Sequence, residues 1–181
     1  EEGKWPIAST HGETMKTALA LCFALLTGAA PDAPTPPGAT TVMKDAKGKT
    51  VGEVTLTQTP AGLLIAATLR GLPPGAHAFH IHQAPECAAP DFKSAGGHYN
   101  PGEHQHGFQN PQGAHAGDLP NIFVLASGDV RGDVLNCTGA RLDQLLASGA
   151  SLVLHATGDD YHSDPAGAAG NRIACGVISK K

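Results

Sequence analysis

Short stretches that alternate apolar with polar residues or are rich in apolar and β-branched ones recur along this chain: Thr41–Lys44, Val51–Thr57, Leu63–Leu69, His77–His82, Ile122–Leu125, Leu152–His155 and Ile173–Ile178. A period of two puts every second side chain on one face of an extended backbone, so each stretch predicts a strand with a buried side. Turn-forming residues separate them, as in Ala46-Lys47-Gly48, Leu72-Pro73-Pro74-Gly75 and Ser127-Gly128-Asp129. Only Leu142–Leu146 reads as a single helical turn, and no repeat period is visible. Strands without alternating helices predict an all-β domain, an antiparallel sandwich or barrel. Two connections, His82–Leu119 and Ala156–Arg172, are far longer than hairpins. Loops of that length in a compact domain are functional or are tied down by something.

The front of the chain breaks the alternation. Met15-Lys16 precedes an apolar run, Ala18–Leu26, and the small residues Gly28, Ala29 and Ala30 follow. The run is shorter than the roughly 18 residues that span a bilayer, and the order of charge, apolar run and small residues predicts a secretory signal over residues 15–30. Residues 1–14, with Trp5 and His11, read as an upstream extension or artefact without a role. Residues 31–39, with Pro31, Pro34, Pro36 and Pro37, predict a flexible leader, and residues 40–181 the folded domain. Export would place Cys87, Cys137 and Cys175 in an oxidising compartment, which predicts one disulfide and one remaining thiol. The spacing does not say which two pair.

Charge changes the picture by exclusion. The 181 residues carry 12 Lys+Arg and 16 Asp+Glu, a net charge of -4, so no broad basic field exists to bind nucleic acid or an anionic membrane. Histidine is the exception to an otherwise ordinary composition. Ten are present, and eight fall between His77 and His155.

Their arrangement points to metal. In His80-Ile81-His82 the two imidazoles project from the same face of a strand and can share one ion, although a His-x-His pair alone is a weak signal. The following loop holds His98, His104, His106 and His115, with Asp118 three positions after the last. Three imidazoles and a carboxylate suit tetrahedral zinc, and a closed site would fix a Gly-rich loop in one shape. His155 ends an apolar strand and is followed by Gly158-Asp159-Asp160.

Four segments taken together resemble the copper/zinc superoxide dismutase family. They are Ala78-Phe79-His80-Ile81-His82, Gly97-His98-Tyr99-Asn100-Pro101, His115-Ala116-Gly117-Asp118-Leu119-Pro120-Asn121 and Gly170-Asn171-Arg172-Ile173-Ala174-Cys175-Gly176-Val177-Ile178. They occur in order, with matching intervals, across nearly all of the presumed domain. The five-residue step from His82 to Cys87 resembles the bacterial exported branch and implies a periplasmic location.

The resemblance implies a Greek-key β-sandwich or flattened barrel of about eight antiparallel strands with two long functional loops. It implies one copper held by His80, His82, His98 and His155. It also implies one zinc held by His98, His106, His115 and Asp118, with His98 bridging as an imidazolate. Asp159 would accept hydrogen bonds from His80 and His106, Cys87 and Cys175 would form the disulfide, and Arg172 would guide the anion. The implied activity is dismutation of superoxide to dioxygen and hydrogen peroxide, with His98 and Arg172 as the catalytic side chains. The alternative is a copper- and zinc-binding or delivery module without turnover. Relatives include dimers and monomers, so a homodimer is one arrangement the family implies. His77, His104 and His162 have no role in the pattern and are expected at the surface. Cys137 is expected buried or as a free thiol, and Lys93 is a candidate helper for Arg172.

Overall fold

The computed structural model describes residues 38–181. The expected upstream extension, signal sequence and most of the Pro-rich leader lie outside the described residues. The elements are β1 (Gly38–Asp45), β2 (Thr50–Thr59), β3 (Gly62–Leu69), β4 (Gly75–His77), β5 (Phe79–His82), β6 (Ile122–Val124), β7 (Val130–Asn136), α1 (Leu142–Ser148), β8 (Ser151–His155), β9 (Arg172–Val177) and β10 (Ser179–Lys180). An antiparallel sheet runs β5-β8-β9-β1-β2-β3-β7, with β10 also on β1, while β4 and β6 form a separate pair.

Alternation sets the core. On β3, Leu63, Ile65, Ala67 and Leu69 point inward, and on the adjacent β2 Val54 and Leu56, paired with Ala67 and Ile65, join them in the core. A buried Leu, Ile or Phe contributes roughly 1.5–3 kcal/mol. β5 and β8 are buried along their whole length because a loop covers their second face. Leu152 and Leu154 face the main core with Phe79 and Ile81, whereas Val153 faces a smaller cluster of Phe92, Ala95 and Cys175, with Cys87 against it. His80 and His82 alternate with Phe79 and Ile81, so the faces that the loops cover are where the imidazoles emerge.

Three elements differ from the sequence expectation. The single strand expected over His77–His82 is divided at Ala78: β4 pairs with β6 and β5 with β8. Ala78 bonds instead to the entrance of the second long loop, its N–H to Thr157 O at 2.9 Å and its carbonyl to His155 N at 2.9 Å. β7 carries no readable alternation, since Arg131, Gly132, Asp133 and Leu135 are exposed while Asn136 is buried. The ten strands reduce to the expected eight when β4 and β5 are read as one interrupted strand and the two-residue β10 is set aside. The expected helical turn extends to the seven residues of α1.

Candidate metal centre

The two long loops and the ends of β5, β8 and β9 meet at one place. His80 and His82 come from β5, and Val153 opposite His80 sets β8 so that His155 emerges beside them. An isolated bridge between His82 and His98 brings the first loop against β5, and another joins His80 to Asp118. Gly117 is the hinge of this approach. Its carbonyl accepts from Ile81 N at 2.9 Å and its N–H donates to Tyr99 O at 2.8 Å, and a Cβ there would collide with the Ile81 carbonyl.

One nitrogen on each of four buried rings has no hydrogen-bond partner: His80 Nδ1, His82 Nε2, His98 Nε2 and His155 Nε2. Ligand atoms of these four residues lie within 4.8 Å of one another. Each ring's other nitrogen is engaged. His80 Nε2 donates to Asp159 Oδ2 at 2.8 Å, His82 Nδ1 to Gly96 O at 3.0 Å and His155 Nδ1 to Gly170 O at 3.4 Å. These acceptors select the tautomer that leaves a lone pair on the inward nitrogen. Burial, then neighbouring imidazoles, pushes His82 down to about 2, and burial with His80 beside it takes His155 to about 3. Burial likewise lowers His80 and, despite Asp118, takes His98 to about 4. Four neutral imidazoles with converging, unpartnered lone pairs would be costly in a packed interior. A cation at their centre would remove that cost.

His98 turns its second nitrogen to another group. Asp118 Oδ1 lies 2.9 Å from His98 Nδ1, 3.0 Å from His106 Nδ1 and 3.2 Å from His115 Nδ1, and His98 Nδ1 lies 3.2 Å from His115 Nδ1. With two of those nitrogens also facing each other, three ring nitrogens and a carboxylate oxygen crowd around one point. A tetrahedral ion with bonds of about 2.0 Å has ligand–ligand edges of roughly 3.3 Å. The observed separations are close to that. Asp118 Oδ2 is held by the N–H groups of Gly107 and His115, each at 3.0 Å. Burial raises the Asp118 carboxyl, but the hydrogen bonds from His106, His115, His98 and Gly107 outweigh it and hold the group ionised far below the usual range.

Asp159 ties the two groups together. Its Oδ1 accepts from His106 Nε2 at 3.0 Å and Tyr161 N at 2.7 Å, while Oδ2 takes His80. Asn121, whose sequence position gave no hint of its work, clasps the Asp159 main chain from both sides: Asp159 N donates to its Oδ1 at 2.8 Å and its Nδ2 donates to Asp159 O at 2.9 Å.

Arg172, at the start of β9, donates from Nη1 to Phe92 O at 2.7 Å and from Nη2 to Gly96 O at 2.6 Å. His82 uses the same Gly96 carbonyl, so the guanidinium stands beside the first imidazole group. A cleft of about 350 Å³ is lined by Arg172, His82, His98 and His155 together with Pro165 and Ala166. The Phe92–Gly96 loop is fastened by a Cys87–Cys175 disulfide with a Cα–Cα distance of 5.7 Å. Lys93 is exposed, lies on the outer groove beside Arg172 and pairs with Asp91 at 3.1 Å. His104 and His162 are exposed, and Cys137 is an exposed free thiol.

His77 departs from expectation. It is buried, with Nδ1 2.8 Å from His155 O and Nε2 2.8 Å from Pro73 O. It braces the strand end that carries His155, a role invisible in sequence because both its partners are main-chain carbonyls.

Comparison with known proteins places the chain among relatives of known type. The copper/zinc superoxide dismutase (SODC) family model matches residues 50–178. The chain belongs to this family. It is 49% identical over 138 residues to superoxide dismutase [Cu-Zn] 2 of Aquifex aeolicus, covering 73% of this chain and 81% of that one. It is 45% identical over 147 residues to the superoxide dismutase [Cu-Zn] of Caulobacter vibrioides, covering 77% and 84%. Among solved structures, the Cu/Zn superoxide dismutase from Brucella abortus has a TM-score of 0.68 at 35% identity and covers 78% of this chain and 99% of that one. A SOD-like protein from Bacillus subtilis has a TM-score of 0.73 at 37% identity, covering 77% and 97%.

Proposed function

We propose that the chain is a superoxide dismutase in which His80, His82, His98 and His155 hold copper and His98, His106, His115 and Asp118 hold zinc. The observation that carries this reading is the set of four buried, unpartnered imidazole nitrogens, one of them on the ring whose other nitrogen faces Asp118, His106 and His115. When bound, copper supplies a one-electron acceptor and donor, while redox-inert zinc acts as a Lewis acid and fixes the loop. The net reaction turns two superoxide anions and two protons into dioxygen and hydrogen peroxide.

The chain's own groups do the rest. Arg172 spends two of its N–H donors on carbonyls and keeps others for a small anion entering the cleft, and its charge persists at any working pH. Such a charge raises encounter rates by roughly ten- to a thousandfold, an effect that salt screens. The second long loop has neither Lys nor Arg between Ala156 and Asn171, so this steering falls mainly on Arg172. His98 Nε2 is the atom placed to hold a proton and hand it to the anion. Asp159 keeps His80 and His106 oriented throughout.

A disulfide across the domain accords with an exported protein. Periplasmic location extends that reading, and fractionation of the native host tests it. A homodimer is supported by Phe123 and Leu125, which are 70% and 62% exposed, and sedimentation of the metal-loaded protein tests it.

Superoxide decay followed by pulse radiolysis on protein loaded with both metals decides the activity. Turnover should collapse in His155→Ala, and Arg172→Ala should lower kcat/KM and flatten its dependence on ionic strength. Wild type that binds both ions and leaves superoxide decay at background would refute turnover and favour a metal-storage role.

A further inference from the structure

We propose that Asn136, at the end of β7, is a positioning residue for the zinc half of the centre, acting through the main chain of the segment that carries His115 and Asp118. This inference rests on the zinc reading above and extends it to a residue that touches no ligand side chain.

Asn136 is buried and stands opposite Leu63 on β3, in a position where the strand's period calls for an apolar residue. A carboxamide there is costly unless every polar atom finds a partner. Each does. Nδ2 donates to Ala116 O at 2.8 Å and to Asp118 O at 3.1 Å, and Oδ1 accepts from Ala140 N at 3.2 Å. Thr138 adds a second donor, with Oγ1 3.0 Å from Ala116 O, and its oxygen lies 2.7 Å from Asn136 Nδ2.

The two carbonyls so gripped flank Gly117, whose own N–H and carbonyl are held from the other side by Tyr99 and Ile81. The segment is therefore pinned between β5, which carries His80 and His82, and the end of β7. Release of the Asn136 side loosens the main chain behind Asp118, whose Oδ1 meets three imidazoles within 3.2 Å. Outer partners of metal ligands commonly set affinity by roughly 10–100-fold, and here the partner is a carbonyl peg instead of a bond to a ligand ring.

The test is Asn136→Asp, which keeps the shape, removes both N–H donors and sets a carboxylate against two carbonyl oxygens. Zinc affinity is measured on copper-free protein by competition with a chelator, and geometry from the visible spectrum of cobalt(II) bound in place of zinc. The expected result is zinc binding weakened by about 10–100-fold with a changed cobalt spectrum, and a smaller loss in the same direction for Thr138→Val. Thr138→Val decides the matter in the same assays should Asn136→Asp not fold. A lower melting temperature of the metal-free variant, with zinc affinity and cobalt spectrum both as in wild type, would show a purely structural residue and overturn the proposal. Wild type that takes up no stoichiometric zinc would overturn the zinc reading itself, and this inference with it.

Discussion

Removing the Cys87–Cys175 disulfide should injure both the fold and the electrostatics of the cleft, and the two injuries can be measured apart. The bond joins residues 88 apart in sequence, so in the chain-entropy treatment it removes about 4.6 kcal/mol of freedom from the unfolded ensemble. At about 3 °C per kcal/mol for a domain of this size, the melting temperature of metal-free Cys87→Ala/Cys175→Ala should fall by roughly 14 °C. The second effect follows from position. Cys175 lies on β9 three residues after Arg172, and Cys87 anchors the loop whose Phe92 and Gly96 carbonyls hold the guanidinium. Phe92 and Ala95 also pack against Val153, the cross-strand neighbour of His80. With the covalent tie gone, the loop is held by that small apolar cluster and by non-covalent bonds such as those of Arg172 and His82 to its carbonyls. Scanning calorimetry reads the first effect, and kcat/KM for superoxide across a range of ionic strength reads the second, with a shallower slope expected. A variant that melts within about 3 °C of oxidised wild type, a shift worth only about 1 kcal/mol, and keeps its salt dependence would refute the reasoning on both counts.

Two further outcomes follow from the same geometry. Burial lowers His106, but its hydrogen bonds to Asp118 and Asp159 outweigh burial and push it up to about 9, so metal-free protein at neutral pH carries a proton on the Nδ1 that zinc would take. Zinc affinity of the metal-free protein should therefore gain up to about tenfold per pH unit from this group until about pH 9 and then level. Because the folded value lies above the ordinary 6.5, the same group's support of the metal-free fold is complete below that pH and is lost as pH rises through about 9. Chelator competition and calorimetry over that window check both signs, and a pH-independent zinc affinity would contradict them. Gly167→Ala should weaken both metals at least about tenfold: its Cβ would collide with the Asp159 carboxylate and approach the His106 ring within 2.8 Å, at a φ of +64° that favours glycine. Isothermal titration with each ion tests this, and wild-type affinities would count against Asp159 as the link between the groups.

What the sequence made legible, and what it hid, divides along the difference between side chains and main chain. Strands with one buried face, such as β2 and β3, announce themselves through a period of two, and ligand-type side chains in His80-Ile81-His82 or His115–Asp118 are visible because few other jobs need such residues so close together. β7 was hidden because its inward end is Asn136, which breaks the apolar period for the reason that it serves the loop and not the core. The division of His77–His82 was hidden because strand partners change at Ala78 through bonds to Thr157 and His155, and backbone bonds leave no trace in residue type.

The same division explains His77, Asn121 and Asn136. Each acts on a carbonyl or an amide: His77 on His155 O, Asn121 on both polar atoms of the Asp159 peptide, Asn136 on Ala116 O and Asp118 O. A partner that every residue possesses cannot be inferred from pattern, whereas a side-chain partner can. The centre is thus assembled at two levels. Rings and carboxylates would choose the ions, and buried polar side chains hold the backbone that presents them. Substitution at the second level should alter affinity and geometry while the entire set of ligand types stays in place, a class of damage that inspection of the motifs alone would miss.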